Sequence, residues 1–243
     1  MPETHFDEWI AGRYETLWPE LFEPALIEST VSFLAALAGS GPALEFGIGT
    51  GRIAVPLSRR NVRAHGIELS PAMVARLDAD PDSAGIEVTL GDFATVAAAG
   101  GPFELVYLLR NTITNLTTQD EQVRAFANAA AQLRPGGCFV VENYVPELQR
   151  LPPGETTRVF TATPEHLAYE RYDVATQIAT SHHHWTVDGR LVTFSSPHRY
   201  AWPSELDLMA RLAGLVPRER WADWDRTPFT SDSRQHISVW QRP

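Results

Sequence analysis

The chain has 243 residues, of which 44 % are hydrophobic and 21 % charged, a composition typical of a globular domain with a buried core. Its net charge of −10 disfavours a nucleic acid or an acidic membrane face as partner, because phosphate binding needs clustered cations. No lysine occurs, which excludes Schiff-base chemistry and a P-loop lysine. The single cysteine, Cys138, lies in an apolar run and is expected to be buried.

Nothing in the sequence points to a membrane. No apolar run approaches the roughly 18–20 residues needed to span a bilayer. The N-terminus is acidic and mixed, unlike a signal peptide. We therefore expect a cytoplasmic protein with no membrane partner.

Residues 1–40 are expected to form a helical cap. Apolar residues recur at three- and four-residue steps between residues 6 and 37, a pattern typical of amphipathic helices. Pro19 and Pro24 should divide this pattern into two or three pieces.

From residue 43 onwards, apolar segments alternate with helical ones. Ser70 and Pro71 are typical of the cap and first residue of a helix. The alternation, with continuously apolar strands, predicts an α/β fold whose mostly parallel sheet is covered on both faces. The expected strands are 43–46, 63–69, 86–90, 103–109 and 138–143, and the expected helices 50–59, 71–79 and 119–133.

After about residue 155 the pattern changes to three strand-like runs. The last two flank Asp188-Gly189, a strong hairpin signal. We expect an antiparallel β insert at about 156–201 within one domain, 1–243. The runs are 166–174, 177–187 and 190–202, followed by a helix at 202–215 and closing strands near 216–222 and 235–241.

The first strand ends in a glycine-rich loop, with Glu45 followed by Gly47, Gly49 and Gly51. A P-loop needs a lysine, which the chain lacks. The nicotinamide fingerprint G-x-G-x-x-G is matched only in part, since the third glycine comes one residue early, at 51, and Arg52 stands where it belongs. The remaining pattern, E-x-G-x-G-x-G, fits S-adenosylmethionine, because glycines let the backbone approach its methionine and ribose parts closely.

Acidic residues follow the next two strands at positions that suit the same cofactor. Glu68 can accept both ribose hydroxyls, although a nicotinamide enzyme would also place an acid there. Asp92 can accept from the adenine amino group while Phe93 packs on the ring, or Asp92 could only cap the next turn. Glu45 can accept near the cofactor's ammonium group, or could be a solvated strand end.

Five stretches together resemble class I S-adenosylmethionine-dependent methyltransferases: EFGIGTGR, GIELSPAM, LGDF, LRPGGCFVVE and RYAWPSELDLMARLAGL. The resemblance covers nearly the whole chain. It is closest to bacterial small-molecule enzymes with a three-stranded antiparallel insert after strand five, such as sugar N,N-dimethyltransferases. It implies a Rossmann-like, seven-stranded, mostly parallel sheet flanked by helices, with S-adenosyl-L-methionine as cofactor and methyl transfer to a small-molecule N or O acceptor.

The resemblance also implies which residues contact the cofactor. Tyr14 is expected near the cofactor carboxylate, although an aromatic residue on a helix is more often part of the core. The loop 109–112 is expected near the methionine end. The residues after strand four, expected to face the substrate, read RNTITNL and lack the Asn-Pro-Pro-Tyr of DNA and protein amide methylases. The expected cofactor residues are Tyr14, Glu45, Gly47, Gly49, Gly51, Glu68, Leu69, Asp92, Phe93 and Leu109.

Acceptor contacts are expected from the cap, the strand ends and the insert. His182 and His184 share one face of a strand and, with Tyr144, are the catalytic candidates. No metal site is predicted, because a third ligand would have to come from elsewhere. The expected acceptor-binding residues are Trp18, Asn111, Asn143, Tyr144, His182, His184, Arg199 and Tyr200.

Three alternatives remain for the function. They are a nicotinamide-dependent oxidoreductase, an S-adenosylmethionine-binding protein without methyl transfer, and a different chemistry on the same cofactor. The helical cap and the insert argue against a non-catalytic protein, because both are placed to roof a pocket. The insert could instead pair between subunits, so we expect a monomer or a homodimer.

Overall fold

The computed structural model describes residues 6–187 and 189–243, which form helices around one large sheet and a second, separate sheet. The helices are α1 (Glu8–Ala11), α2 (Tyr14–Leu17), α3 (Pro24–Ala38), α4 (Ala54–Ser58), α5 (Pro71–Asp78), α6 (Gln119–Gln132) and α7 (Pro203–Leu212). The strands are β1 (Ala43–Phe46), β2 (Ala64–Glu68), β3 (Glu87–Leu90), β4 (Phe103–Leu108), β5 (Leu133–Tyr144), β6 (Thr157–Ala162), β7 (His166–Asp173), β8 (Ile178–Val187), β9 (Arg190–Arg199), β10 (Val216–Trp221) and β11 (Gln235–Gln241). Short 3-10 helices lie at Pro19–Phe22, Pro81–Ser83, Thr112–Asn115 and Leu148–Arg150.

The large sheet has seven strands in the order β10-β11-β5-β4-β1-β2-β3. Strands β1 to β5 run parallel, whereas β11 is antiparallel to β5 and to β10. This arrangement confirms the predicted Rossmann-like fold class. The carboxyl ends of β1, β2 and β4 therefore meet at one edge, where open α/β sheets bind their ligands.

The large sheet is buried on both faces, as its continuously apolar strands predict. Leu44 and Phe46 of β1 pack into one core cluster together with Phe139. Ala43, on the other face of the same strand, packs with Leu34 of α3. Among the described residues, no helix combines the length and the apolar character that crossing a membrane requires.

The helix expected at 50–59 is shorter than predicted and occupies only Ala54–Ser58. Gly51 has a φ of +81°, which a right-handed helix cannot contain. A Cβ at this glycine would overlap Leu77 of α5 and lie 3.0 Å from Val55. The glycine loop therefore extends further along the chain and brings its backbone against α5.

The glycine turn expected before the fifth strand is part of β5 itself. The β4–β5 pairing shifts register between Phe103 and Leu105. Beside that irregularity, Gly136 donates its N–H to Arg242 O at 2.7 Å and Gly137 O accepts from Arg242 N at 2.9 Å. Bonds from the far end of the chain thus hold this segment as strand, which local sequence could not reveal.

The insert has four strands, where three were predicted. The missed strand, β6, lies at the edge of a sheet with the order β6-β7-β8-β9. Its residues are mostly exposed, and its pairing shifts between Val159 and Thr161, so the sequence carries no clean alternation. The predicted hairpin joins β8 to β9, where Val187 pairs with Arg190; Asp188 lies outside the described residues.

Candidate cofactor and acceptor site

Two adjoining cavities lie between the cap, the glycine loop and the insert. The larger has a volume of about 410 Å³ and the smaller about 80 Å³. Four residues line both: Phe6, Tyr14, Thr112 and Asn115. The smaller cavity is further lined by Gly47, Gly49, Glu68, Leu69, Met73 and Phe93.

Glu68 is fixed by three backbone amides at the end of β2. Its Oε2 accepts from Gly49 N, and its Oε1 accepts from Leu69 N and Ser70 N, each at 2.9 Å. Burial raises the pKa of this carboxyl, and the three hydrogen bonds oppose that rise. The glycine loop and the second strand are thereby joined through one carboxylate on the cavity wall.

The wall at Gly49 is bare backbone. Gly49 has a φ of +57°, and no atom lies within 4 Å of the position that a Cβ would take. A left-handed residue without a side chain thus leaves its peptide open to a ligand.

Glu45 lies behind the loop and not on a cavity wall. It is buried, and Tyr107 Oη donates to its Oε2 at 3.0 Å. Burial raises the pKa of Glu45 to about 8, partly offset by Arg52. Glu45 is therefore largely protonated at neutral pH, and a nearby ligand cation would favour its ionised form.

Tyr14 lies on the wall that the two cavities share. Helix α2 presents its ring beside Trp18 and Phe22, with ring centroids 5.2 and 6.1 Å away. Burial raises the pKa of its phenol, so the hydroxyl stays protonated and can donate a hydrogen bond.

Asp92 and Phe93 were both expected to contact the adenine, but only Phe93 lines the smaller cavity. Phe93 lines the smaller cavity and stacks on Phe46, with ring centroids 5.4 Å apart. Asp92 does not line it; its Oδ1 accepts from Ala94 N at 2.8 Å. The turn-capping alternative for Asp92 is thus realised in the structure.

Two other expected cofactor residues face the protein interior. Gly51 packs against α5, as described above. The Leu109 side chain is 4 % exposed and belongs to the apolar core on one face of the sheet. The alternation of β4 turns Leu109 inwards, and the next residues, Arg110, Asn111 and Thr112, line the larger cavity.

The insert presents His183, and not His182 or His184, to the larger cavity. Ser181, His183 and Trp185 are buried on the cavity face of β8. His182 and His184 lie on the opposite face, where both rings stack on Tyr169. The prediction that His182 and His184 face the acceptor was therefore wrong. The face that is buried depends on the helical cap, which is remote in sequence. Trp18 of the cap contacts His183 and Trp185, with ring centroids 6.4 and 5.8 Å away.

Three further residues that were predicted to bind the acceptor do not line the larger cavity. Arg199 is buried and binds Gln122 of α6, Gln177 and Glu205 of α7, at 2.6 to 3.0 Å. Tyr200 packs on Tyr172 beneath the insert. Asn143 is fully buried between β4 and β11, and its amide has no hydrogen-bond partner among the described residues. Of the predicted set, Trp18, Asn111 and Tyr144 do line the larger cavity.

Sequence reasoning missed the polar residues that the insert contributes. Glu170 of β7 accepts from Tyr172 Oη at 2.5 Å, and Ser181 Oγ lies 3.5 Å from its other oxygen. Arg158 of β6 forms an ion pair with Glu147 on the same wall. The period-two pattern of β7, with Ala168, Glu170 and Tyr172 on one face, is the signal that could have found Glu170.

Comparison with known proteins assigns the family. Residues 43–137 match the model of a family described as a methyltransferase domain. The solved CcbJ methyltransferase from Streptomyces caelestis is 36 % identical, with a TM-score of 0.88, over 100 % of this chain and 99 % of that one. The chain belongs to the class I S-adenosylmethionine-dependent methyltransferases. S-adenosylmethionine is its cofactor.

Two further relatives of this methyltransferase are more distant. The cypemycin N-terminal methyltransferase of a Streptomyces species is 26 % identical and covers 98 % of this chain and 97 % of that protein. CalS10, an amino pentose methyltransferase from Micromonospora echinaspora solved with S-adenosylmethionine bound, is 21 % identical, with a TM-score of 0.70 over 94 % of this chain and 96 % of that one. The latter match reflects the shared fold.

The smaller cavity of the methyltransferase fits its cofactor chemically. The open peptide at Gly49 leaves room for close approach, Glu68 offers carboxylate oxygens, and Phe93 offers an aromatic edge. On the side shared with the larger cavity, Tyr14 adds a hydroxyl donor. Among the residues described, no group of histidine, cysteine, aspartate and glutamate side chains could hold a metal ion.

Proposed function

We propose that the protein transfers the methyl group of S-adenosylmethionine to an amine of a small-molecule acceptor. The observation that carries the proposal is the junction of the two cavities. One is lined by the glycine loop and Glu68, and the other, about 410 Å³, has the size of a small-molecule site. Methyl transfer then takes place where Tyr14, Thr112 and Asn115 line both.

In this proposal the cofactor lies along the edge formed by β1, β2 and β4. Glu68 accepts the ribose hydroxyls, and Phe93 packs against the adenine. Tyr14 and the Arg110 guanidinium face the methionine carboxylate. The positive charge of Arg110 acts on the Tyr14 phenol, since it opposes the rise in the pKa of Tyr14 that burial causes. Glu45 lies behind the loop and compensates the methionine ammonium group.

An amine is favoured as acceptor by the carboxylate and rings of the larger cavity. Glu170 lines it together with Tyr144, Tyr172 and Trp18. A carboxylate beside aromatic faces attracts a cationic amine. The names of two relatives, the cypemycin N-terminal methyltransferase and the amino pentose methyltransferase, also refer to acceptors with amino groups.

The chain contributes positioning and exclusion of water. The cofactor, when bound, supplies an already activated methyl group, so alignment of the acceptor lone pair is the main task of the protein and can contribute roughly 7–11 kcal/mol. Phe6 and Trp18 of the cap close the larger cavity over the acceptor. Glu170 fixes the direction from which the amine enters.

The first test is calorimetric titration with S-adenosylhomocysteine, alongside the Glu68→Ala variant and NADH. We expect micromolar binding that the variant loses, and no binding of NADH. Failure to bind S-adenosylhomocysteine, or binding of NADH in its place, would contradict the cofactor site.

The second test follows methyl transfer by mass spectrometry on a panel of acceptors. The amines are 2-, 3- and 4-amino sugars, L-prolinamide and the dipeptide Ala-Ala, and the matched hydroxyl acceptors are the parent sugars and tyrosol. We expect methylation among the amines only. Methylation confined to hydroxyl acceptors would overturn the amine assignment.

A further inference from the structure

We propose that Ser196 and His198 form a proton relay that removes the proton of the acceptor before methyl transfer. The inference rests on the proposed function, in that the acceptor occupies the larger cavity. It assigns a role in proton transfer to two residues of β9, Ser196 and His198.

The two side chains are joined and face the cavity. Ser196 and His198 are two residues apart on β9 and therefore share a face. Ser196 Oγ lies 2.7 Å from His198 Nε2, and both residues line the larger cavity. The serine is 3 % exposed, so its hydroxyl meets the cavity and not bulk solvent.

The surroundings of the other ring nitrogen assign the tautomer. Thr114 Oγ1 donates its proton to Asn111 O at 2.7 Å, so towards His198 it can act only as an acceptor. It lies 3.5 Å from His198 Nδ1, and Asn115 Oδ1 lies 3.1 Å from the same nitrogen. These two oxygens favour the tautomer with the proton on Nδ1, in which Nε2 accepts from the hydroxyl of Ser196.

The relay lies next to the junction where transfer is proposed. Asn115, which orients the imidazole, lines both cavities. It belongs to the turn Thr112–Asn115, which follows β4 and packs against β9. An acceptor amine aimed at the junction thus has Ser196 on one side and the cofactor cavity on the other.

The chemistry balances without a further reagent. An N–H bond of the ammonium acceptor breaks, and its proton passes to Ser196 Oγ while the serine proton passes to His198 Nε2. The freed nitrogen lone pair forms the bond to the methyl carbon as the carbon–sulfur bond breaks, and that electron pair stays on sulfur. Asn115 and Thr114 stabilise the imidazolium, which returns its proton to solvent after release of the products.

Other titratable and charged groups face the same cavity from neighbouring elements. They are Tyr14 of α2, Arg110 after β4, Tyr144 of β5, Glu147 after β5, Arg158 of β6, Glu170 and Tyr172 of β7, His183 of β8, and Arg234 before β11. Burial and the surrounding histidines lower the pKa of His183 to about 4, and burial raises those of Tyr172 and Tyr144. Between pH 6.5 and 9.5 His183, Tyr172 and Tyr144 keep one protonation state, so these three groups do not contribute to a change of kcat in that interval.

The opposite face of the insert provides a matched control. There Ser195 Oγ lies 2.8 Å from His182 Nδ1, away from the cavity. Ser195→Ala removes a serine–histidine hydrogen bond from the same two strands without touching the larger cavity.

The experiment measures kcat between pH 6.5 and 9.5 for the best amine of the panel, in wild type, His198→Gln, Ser196→Ala and Ser195→Ala. At pH 7 we expect His198→Gln to lower kcat about 100-fold and Ser196→Ala about 10-fold. The deficit should shrink as pH rises, because the amine then loses its proton to water. Ser195→Ala should match wild type, and S-adenosylhomocysteine affinity should be equal in all four.

An unchanged kcat in His198→Gln, or a loss of equal size at every pH, would overturn the relay. A readout independent of any acceptor is the ¹⁵N spectrum of the histidine rings with S-adenosylhomocysteine bound. We expect the signal absent from His198→Gln to belong to an Nδ1-protonated ring, and an Nε2-protonated ring would contradict the relay. If only hydroxyl acceptors react, the amine proposal fails while the spectrum still decides the relay.

Discussion

The parallel sheet and the antiparallel insert build the two cavities in different ways. In the parallel sheet, strand ends meet at one edge, so a residue that ends a strand has a known place: Glu68 ends β2 and lies on the cofactor cavity. In the insert, a residue lines the cavity only if it lies on the face of the sheet that the helical cap covers. His182 and His183 are neighbours in sequence, yet they lie on opposite faces.

The difference shows where local sequence is sufficient. A glycine at positive φ and a carboxylate after an apolar strand are local requirements, and they are visible in the sequence. The covered face of the insert depends on Trp18, more than 160 residues away from His183.

Gly51→Ala should destabilise the parallel region by about 3 kcal/mol, since it adds left-handed strain and an overlap with Leu77. The control in the insert is Gly189→Ala, at φ +71° with nothing within 4 Å of a Cβ, which should cost only about 1 kcal/mol. Urea unfolding measures both. Equal losses would remove the proposed packing role of Gly51.

Glu68→Gln should weaken binding of S-adenosylhomocysteine about 100-fold, or roughly 2.7 kcal/mol, because an amide group cannot accept from three backbone N–H groups and the ribose. Glu87→Gln, on the exposed neighbouring strand β3, is the matched control and should bind as wild type does. Calorimetry decides. Full affinity in Glu68→Gln would move the cofactor away from the β2 edge.

In each region burial depresses the pKa of an imidazole, to about 3 for His236 on β11 and about 4 for His183 on β8. The unfolded chain, with a histidine pKa near 6.5, binds the extra protons, so stability is complete above pH 6.5 and falls as pH drops below it. Each group should cost about 1.4 kcal/mol by pH 5.5.

His236→Gln and His183→Gln should therefore each remove a similar part of the difference in unfolding free energy between pH 7.5 and pH 5.5. Urea titrations at the two pH values measure it, with His184→Gln on the outer face as control. If only one variant flattened the dependence, the two regions would not be equally well packed around their imidazoles.

Glu170→Gln should raise KM for the best panel amine about 5-fold, near 1 kcal/mol, by weakening a charge-assisted contact with the cationic amine. Glu165→Gln, exposed just before β7, is the control and should leave KM unchanged. An unaltered KM in Glu170→Gln would show that the amine binds elsewhere in the cavity.

The two regions also differ in how far their structure can be predicted from the sequence. The seven-stranded sheet and the loop residues around Glu68 were predictable from local sequence. Residues 133–137 of β5 were not, because hydrogen bonds with Arg242 hold them as strand. Asp92 and Leu109 do not line the cofactor cavity. The Asp92 carboxylate accepts a hydrogen bond from Ala94 N within its own turn, and the Leu109 side chain points into the apolar core. Arg199 is a residue type that often binds ligands. Here its guanidinium is bound by Gln122 of α6 and Glu205 of α7, partners that only the tertiary structure shows.

The most direct test is a two-substrate kinetic matrix for wild type, Glu68→Gln and Glu170→Gln, with S-adenosylmethionine and the best panel amine varied independently. If the β2 edge binds the cofactor and the insert binds the acceptor, Glu68→Gln raises KM for S-adenosylmethionine alone and Glu170→Gln raises KM for the amine alone. If both variants raise the KM of the same substrate, the division of the site between the two sheets is contradicted.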